Sequence, residues 1–171
     1  MLRDLWDPVA RRFYPRDVLA GHLEPEETIV SFAALLDEGL PADQLSAILD
    51  DLRSVCFHPD AASHFVVPTY SLRSPTFDRR RYWCGPVWIN TNWLLWRGLM
   101  QHGRHEEAAE IARSSLALIA RSGFREYFDP IDGTGYGSRD FAWTAALALD
   151  FVEHLGGADR LDAAGHLSVH P

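Results

Sequence analysis

The chemically loaded feature of this sequence is a carboxylate set among aromatic rings. Residues 123–141 read "GFREYFDPIDGTGYGSRDF", which places Glu126 among Phe124, Tyr127 and Phe128, with Asp129 just behind and Gly133, Gly135 and Gly137 alternating after it. A lone Glu is normally solvated at the surface, but one flanked by rings loses water and requires a partner or a task. The glycines accept positive φ and let the backbone come close to whatever the loop lines. A second group lies in "RRRYWCGPVWINTNWLLW", where Tyr82, Trp83 and Trp88 surround a turn at Gly85 and Pro86. Rings projecting at such a turn suit the apolar face of a sugar, and their OH and NH groups can hydrogen-bond its hydroxyls. The same rings could simply pack the turn. Trp93 and Trp96, at helical spacing, read as core.

Sharper alternatives fit less well. The "GTGYG" run matches neither G-x-G-x-x-G nor Walker A, and no βαβ pattern surrounds it. A calcium loop starting at Asp129 would put Ile131 and Gly133 where side-chain oxygens belong. His102 and His105 straddle Gly103 without a convincing third ligand, so no metal and no cofactor is expected. Cys84 has no neighbouring His in sequence to activate it.

The elements that must hold these residues read as helical hairpins. "PEETIVSFAALLDEGL" spaces Ile29, Phe32, Ala33 and Leu36 as one amphipathic helix from Pro25, with acids in its first turn and Gly39 at its exit. Pro41 opens "PADQLSAILDDLRSV", striped by Leu45, Ile48, Leu49 and Leu52. Residues 55–87 are broken by Pro59, Pro68, Pro75 and Pro86 and read as a long ordered loop. Helical pattern resumes near Asn90, stops at Gly103, restarts at His105 and ends at Gly123; "RDFAWTAALALDFVEHL" makes one further helix. The expected fold is all-α, built from about five helices. Long, dissimilar, aromatic-rich loops favour a closed α/α toroid over a solenoid or bundle. Residues 1–155 form one domain portion and 156–171 a loosely ordered tail.

Composition narrows the partner. The 171 residues suffice for one domain, and 47% hydrophobic residues for a substantial core. A formal charge of -8 argues against nucleic acid and anionic membranes, so a neutral small substrate fits better. Two cysteines, Cys56 and Cys84, make no disulfide framework, and "MLRDLWDPVARRF" lacks the apolar run of a secretion signal. A cytoplasmic protein is expected, with no apolar run near the roughly 20 residues that span a bilayer.

The blocks "YWCGPVWINTNWLLWRGL" and "GFREYFDPIDGTGYGSRDFAWTAALALD", in this order and separation, resemble the C-terminal part of the α/α-toroid glycosidases related to processing α-glucosidase I (glycoside hydrolase family 63-like). The resemblance is strongest to the bacterial mannosylglycerate and glucosylglycerate hydrolases and runs from about Leu5 to Val152. It implies a partial (α/α)6 toroid and an inverting α-glycosidase acting on a small glucoside or mannoside. Glu126 then corresponds to the general base, and Tyr82, Trp83 and Trp88 to the sugar subsite, with Tyr127 and Asp129 shaping the pocket. Inversion also requires a general acid, roughly 6.5–9.5 Å from the base. The family's "SGxDNSP"-like acid motif is absent here, and Asp60, Asp78 and Asp129 are stand-ins that nothing in the spacing recommends. Cys84 replaces a family Arg, which removes a charged contact near the subsite. The rest of the toroid, or self-association, is therefore an expected requirement. A catalytically inactive remnant that binds sugar or only pairs with another chain is the alternative reading, and a sugar epimerase or isomerase on the same scaffold a further one.

Overall fold

The computed structural model of the chain describes residues 2–58 and 65–165, with side chains through residue 156. The architecture is helix-rich with few strands. Its α-helices are α1 (Ala42–Leu52), α2 (Ile89–Gln101), α3 (His105–Ser122) and α4 (Ala142–Gly165), preceded by an eight-residue 3-10 helix, Ile29–Leu36. Two short antiparallel pairs complete it, β1 (Trp6–Asp7) with β2 (Arg12–Phe13) and β3 (Tyr127–Phe128) with β4 (Gly135–Tyr136).

Each helix follows from its local chemistry. Pro41, with φ fixed at -58°, leads into α1, and Asp43 in the first turn faces the positive helix end. α1 buries Ala47, Ile48, Leu49 and Leu52 on one stripe. α3 carries Glu106 and Glu107 in its first turn and Arg121 in its last, and buries Ala108, Ile111, Ala112, Ser115 and Leu118. α2 packs against α3, α4 and the 3-10 helix, so it is the central element. Gly98 makes the last of these contacts possible: a Cβ there would lie 2.6 Å from Leu35 Cβ.

The first helix departs from expectation. Helical backbone starts at Ile29 rather than Pro25 and is 3-10, because residues 27–29 are already hydrogen-bonded elsewhere. Ile29 N–H donates to Thr69 O (2.9 Å), Ser71 N–H donates to Glu27 O (2.9 Å), and Thr28 bridges Tyr70. Arg12 adds a second tie, its guanidinium hydrogen-bonding both Glu27 and Asp51 of α1. α4 also runs on through Gly156 to Gly165, where the sequence pattern places a tail from 156; residues 166–171 lie outside the described residues, as does Asp60.

The 65–87 segment is indeed an ordered loop, anchored by a buried amide. Asn92 on α2 donates from Nδ2 to Val66 O (2.8 Å) and accepts at Oδ1 from Val67 N–H (3.3 Å). Beyond it runs a narrow ribbon in the order Pro68, Val87, Phe128, Gly135, the first two links single-residue bridges and the last the β3–β4 pair. Val87 and Phe128 exchange both backbone hydrogen bonds, at 2.8 and 2.9 Å. Both side chains enter an apolar cluster with Ile89, Ala112, Leu118 and Phe151. A second cluster around Phe32, Leu35, Phe57 and Leu99 joins the 3-10 helix, α1 and α2.

Candidate functional site

The ribbon determines what gathers beside it. Successive residues of an extended strand point to opposite faces. With Val87 and Phe128 turned into the core, Trp88 and Tyr127 fall on the other side, where their rings stack at 5.3 Å and 18°. Trp83 stacks on Trp88 at 3.9 Å and 11°, and Tyr82 stands edge-on to Trp88 at 4.9 Å and 88°. Trp88 is 2% exposed and Trp83 41%, so Trp88 is the platform and Trp83 offers open ring surface.

Tyr82 and Trp83 sit on the turn of residues 78–85. Asp78 N–H donates to Cys84 O (2.8 Å) and Asp78 Oδ1 accepts from Arg80 N–H (2.9 Å), while Gly85 N–H donates to Thr69 Oγ1 (3.0 Å). Tyr82 has φ 40°, a conformation costing a side-chain-bearing residue roughly 1–2 kcal/mol. The indole N–H of Trp88 donates to Tyr82 O at 2.9 Å and holds it there.

That strained turn carries the Tyr82 hydroxyl to Glu126, donating to Oε1 at 3.2 Å. The other oxygen, Oε2, accepts from Ser138 N–H (3.0 Å) and Ser138 Oγ (3.2 Å). Gly137 makes room: a Cβ there would collide with Oε2, and its φ of 67° suits glycine. The Ser138 backbone N–H, then its hydroxyl and the Tyr82 hydroxyl, outweigh the loss of water and hold the Glu126 carboxyl below its ordinary range. Loss of water and then the hydrogen bond to the charged Glu126 raise the Tyr82 hydroxyl.

Glu126, Tyr82, Trp83, Trp88 and Tyr127 thus come together in one place. Asp129 is fully buried and has a different set of contacts: Oδ1 accepts from Ile131 N–H (2.9 Å), and Oδ2 lies 3.0 Å from Arg79 Nε. Arg79 also reaches Asp132 at 3.0 Å, which ties the 78–85 turn to the 129–134 loop. Trp93 and Trp96 lie in the helix packing as their spacing indicates, Trp93 donating to Asp150 (2.7 Å) and Trp96 edge-on to Phe151. A cleft of about 620 Å³ lined by Glu24, Glu26, Glu27, Cys56 and Arg73 contains none of the site residues.

Ser138 and Arg79 are the contributors that the sequence pattern does not announce. Ser138 lies twelve residues from Glu126 beyond a glycine run, with no periodicity linking them; Arg79 opens a run of three arginines that reads as solvated charge.

The chain is similar in sequence and fold to known proteins. The chain is 36% identical over 148 residues to mannosylglycerate hydrolase from Thermus thermophilus, covering 86% of this chain and 35% of that protein. It is 37% identical over 138 residues to glucosylglycerate hydrolase from Mycolicibacterium hassiacum, covering 80% of this chain and 31% of that one. The crystal structure of a glycoside hydrolase family 63 mannosylglycerate hydrolase from Thermus thermophilus in complex with glucose superposes with a TM-score of 0.80 at 35% identity, over 89% of this chain and 37% of that one. Neutral trehalase Nth1 from Saccharomyces cerevisiae shares the fold at a TM-score of 0.64 and 18% identity. The chain therefore spans about a third of the length of these relatives. Over residues 1–144 it matches the model of the mannosylglycerate hydrolase MGH1-like glycoside hydrolase domain, and it belongs to that family.

Proposed function

We propose that this chain supplies the general-base part of an inverting α-glycosidase for a small glucoside or mannoside, with glucosylglycerate and mannosylglycerate as the candidate substrates. The observation that carries the reading is Glu126: a carboxylate with one oxygen accepting two hydrogen bonds from Ser138 and the other accepting one from Tyr82, whose ring packs in the cluster of Trp83 and Trp88. A base must be unprotonated at working pH and within reach of the water it activates. Glu126 removes a proton from water as the water oxygen bonds to the anomeric carbon and the glycosidic C–O bond breaks; the departing oxygen takes a proton from a general acid.

The acid comes from outside the described residues of this chain. Asp78 is engaged as a turn residue and Asp129 is buried against Arg79, so neither of these two is placed as a donor across from Glu126. The described helices form part of an (α/α)6 toroid, and the remainder docks on apolar surface that this chain leaves open, including Trp143, Leu149 and Val152 of α4. Both points are supported by the chain spanning about a third of its relatives.

The test is hydrolysis of glucosylglycerate and mannosylglycerate by the chain alone and by the chain completed with the remainder of the toroid. Glu126→Gln is expected to abolish turnover in the completed enzyme while leaving its melting temperature unchanged within a degree or so, on the order of what a near-isosteric change at a half-buried site allows. Full activity in Glu126→Gln removes the assignment. Sugar binding without turnover in the completed enzyme would instead identify a remnant.

A further inference from the structure

We propose that Ser138 is the positioning residue of Glu126, clamping Oε2 through two donors so that Oε1 is the oxygen that takes the proton from water. This rests on the reading of Glu126 as the base. The geometry is reciprocal: Ser138 N–H (3.0 Å) and Oγ (3.2 Å) both donate to Oε2, while Glu126 N–H donates back to Ser138 O (3.2 Å). The carboxylate and residue 138 therefore fix each other. Gly137 leaves Oε2 its space, since a Cβ there would lie 2.4 Å from it. Oε1 accepts from the Tyr82 hydroxyl at 3.2 Å, and a carboxylate oxygen accepts along two directions. The second direction is where water can sit. In the catalytic step a water O–H bond breaks and its proton goes to Oε1, while Oε2 keeps its two donors throughout.

The clamp acts on charge as well as direction, because hydrogen bonds made to the ionised form favour that form. The other ionisable groups around it are few. Tyr82 faces Glu126 from the 78–85 turn, and Tyr127 follows it in β3. Arg125, Arg139 and Asp140 line a separate cleft of about 290 Å³ with Phe124, and Arg125 donates from Nη2 to Gly137 O at 3.3 Å.

The experiment is a carboxyl 13C NMR titration of the 171-residue chain labelled at glutamate, with Glu126→Gln used to assign the Glu126 resonance. Ser138→Ala keeps the backbone N–H and removes the hydroxyl; the Glu126 midpoint is expected to rise by about 0.5 pH unit or more, and Ser138→Thr to return it to the wild-type value. Ser138→Cys, a weaker donor, is expected to fall between them and serves if Ser138→Ala does not fold. A midpoint unmoved in Ser138→Ala or Ser138→Cys overturns the proposal, as does a Ser138→Thr midpoint that follows Ser138→Ala. No turnover is needed for this reading. A chain that hydrolyses nothing even when completed, yet titrates as described, loses the glycosidase assignment and keeps the clamp.

Discussion

At the scale of the residue, the site couples an ionised carboxylate to a strained tyrosine. Glu126 is held below its ordinary range, first by the Ser138 N–H. An ordinary Glu titrates at about 4.3. In the 171-residue chain the Glu126 carboxyl is therefore expected to titrate below that value by 13C NMR, since its charge is lost only as pH falls through the depressed folded-state pKa; a midpoint above about 5 would contradict the hydrogen-bond assignment. The same sign applies to stability, with any contribution from Glu126 present above the unfolded-state value and lost as pH falls through the folded one. Much of this site was legible in the sequence. A Glu among rings and three aromatics at a Gly-Pro turn are patterns of residue type, and residue type is what a sequence displays. The Ser138 clamp is a pattern of distance across a glycine loop, and nothing in the types themselves marks it.

At the scale of the element, packing decided what periodicity left open. α1, α2 and α3 lie close to where their apolar stripes place them, because each stripe meets a neighbouring helix. The stretch 25–28 follows the helical period as well, yet Thr28 and Glu27 are bonded to the 69–71 strand-like segment, and those backbone bonds keep it extended. A long-range partner of that kind is invisible to a local pattern. Gly98 is a sharper case, since within α2 it reads as a weak helix former. Gly98→Ala gains about 1 kcal/mol in helix propensity but brings a Cβ to 2.6 Å from Leu35 Cβ and 3.0 Å from its backbone. Overpacking of this kind costs about 1–3 kcal/mol, and the backbone cannot rotate aside. The urea midpoint is therefore expected to fall in Gly98→Ala, and a rise would mean that the 3-10 helix yields easily.

At the scale of the whole molecule, the chain exposes apolar surface that a self-sufficient fold would cover. Leu149 and Val152 on α4, about 60° apart around the helix, are 70% and 57% exposed, and Trp143, on the side of the helix opposite Val152, is 53% exposed. Among the described residues, no helix is long and apolar enough to cross a membrane. If the face carrying Leu149 and Val152 is the docking surface for the remainder of the toroid, Leu149→Asp is expected to reduce self-association of the isolated chain and to weaken assembly with its completing segment, both measured by sedimentation velocity. Unchanged behaviour in both would place the docking surface elsewhere. The ribbon through Val87 and Phe128 has one further consequence. Trp88 follows Val87 in the chain, Glu126 lies just before β3 and Phe128, and Val87 and Phe128 are joined by a reciprocal pair of peptide hydrogen bonds. The distance between Trp88 and the Glu126 segment is thus set by the fixed spacing of a peptide ladder, not by the choice of side chains. Substitutions in the rings can change what fits against them without changing how far apart the two segments stand.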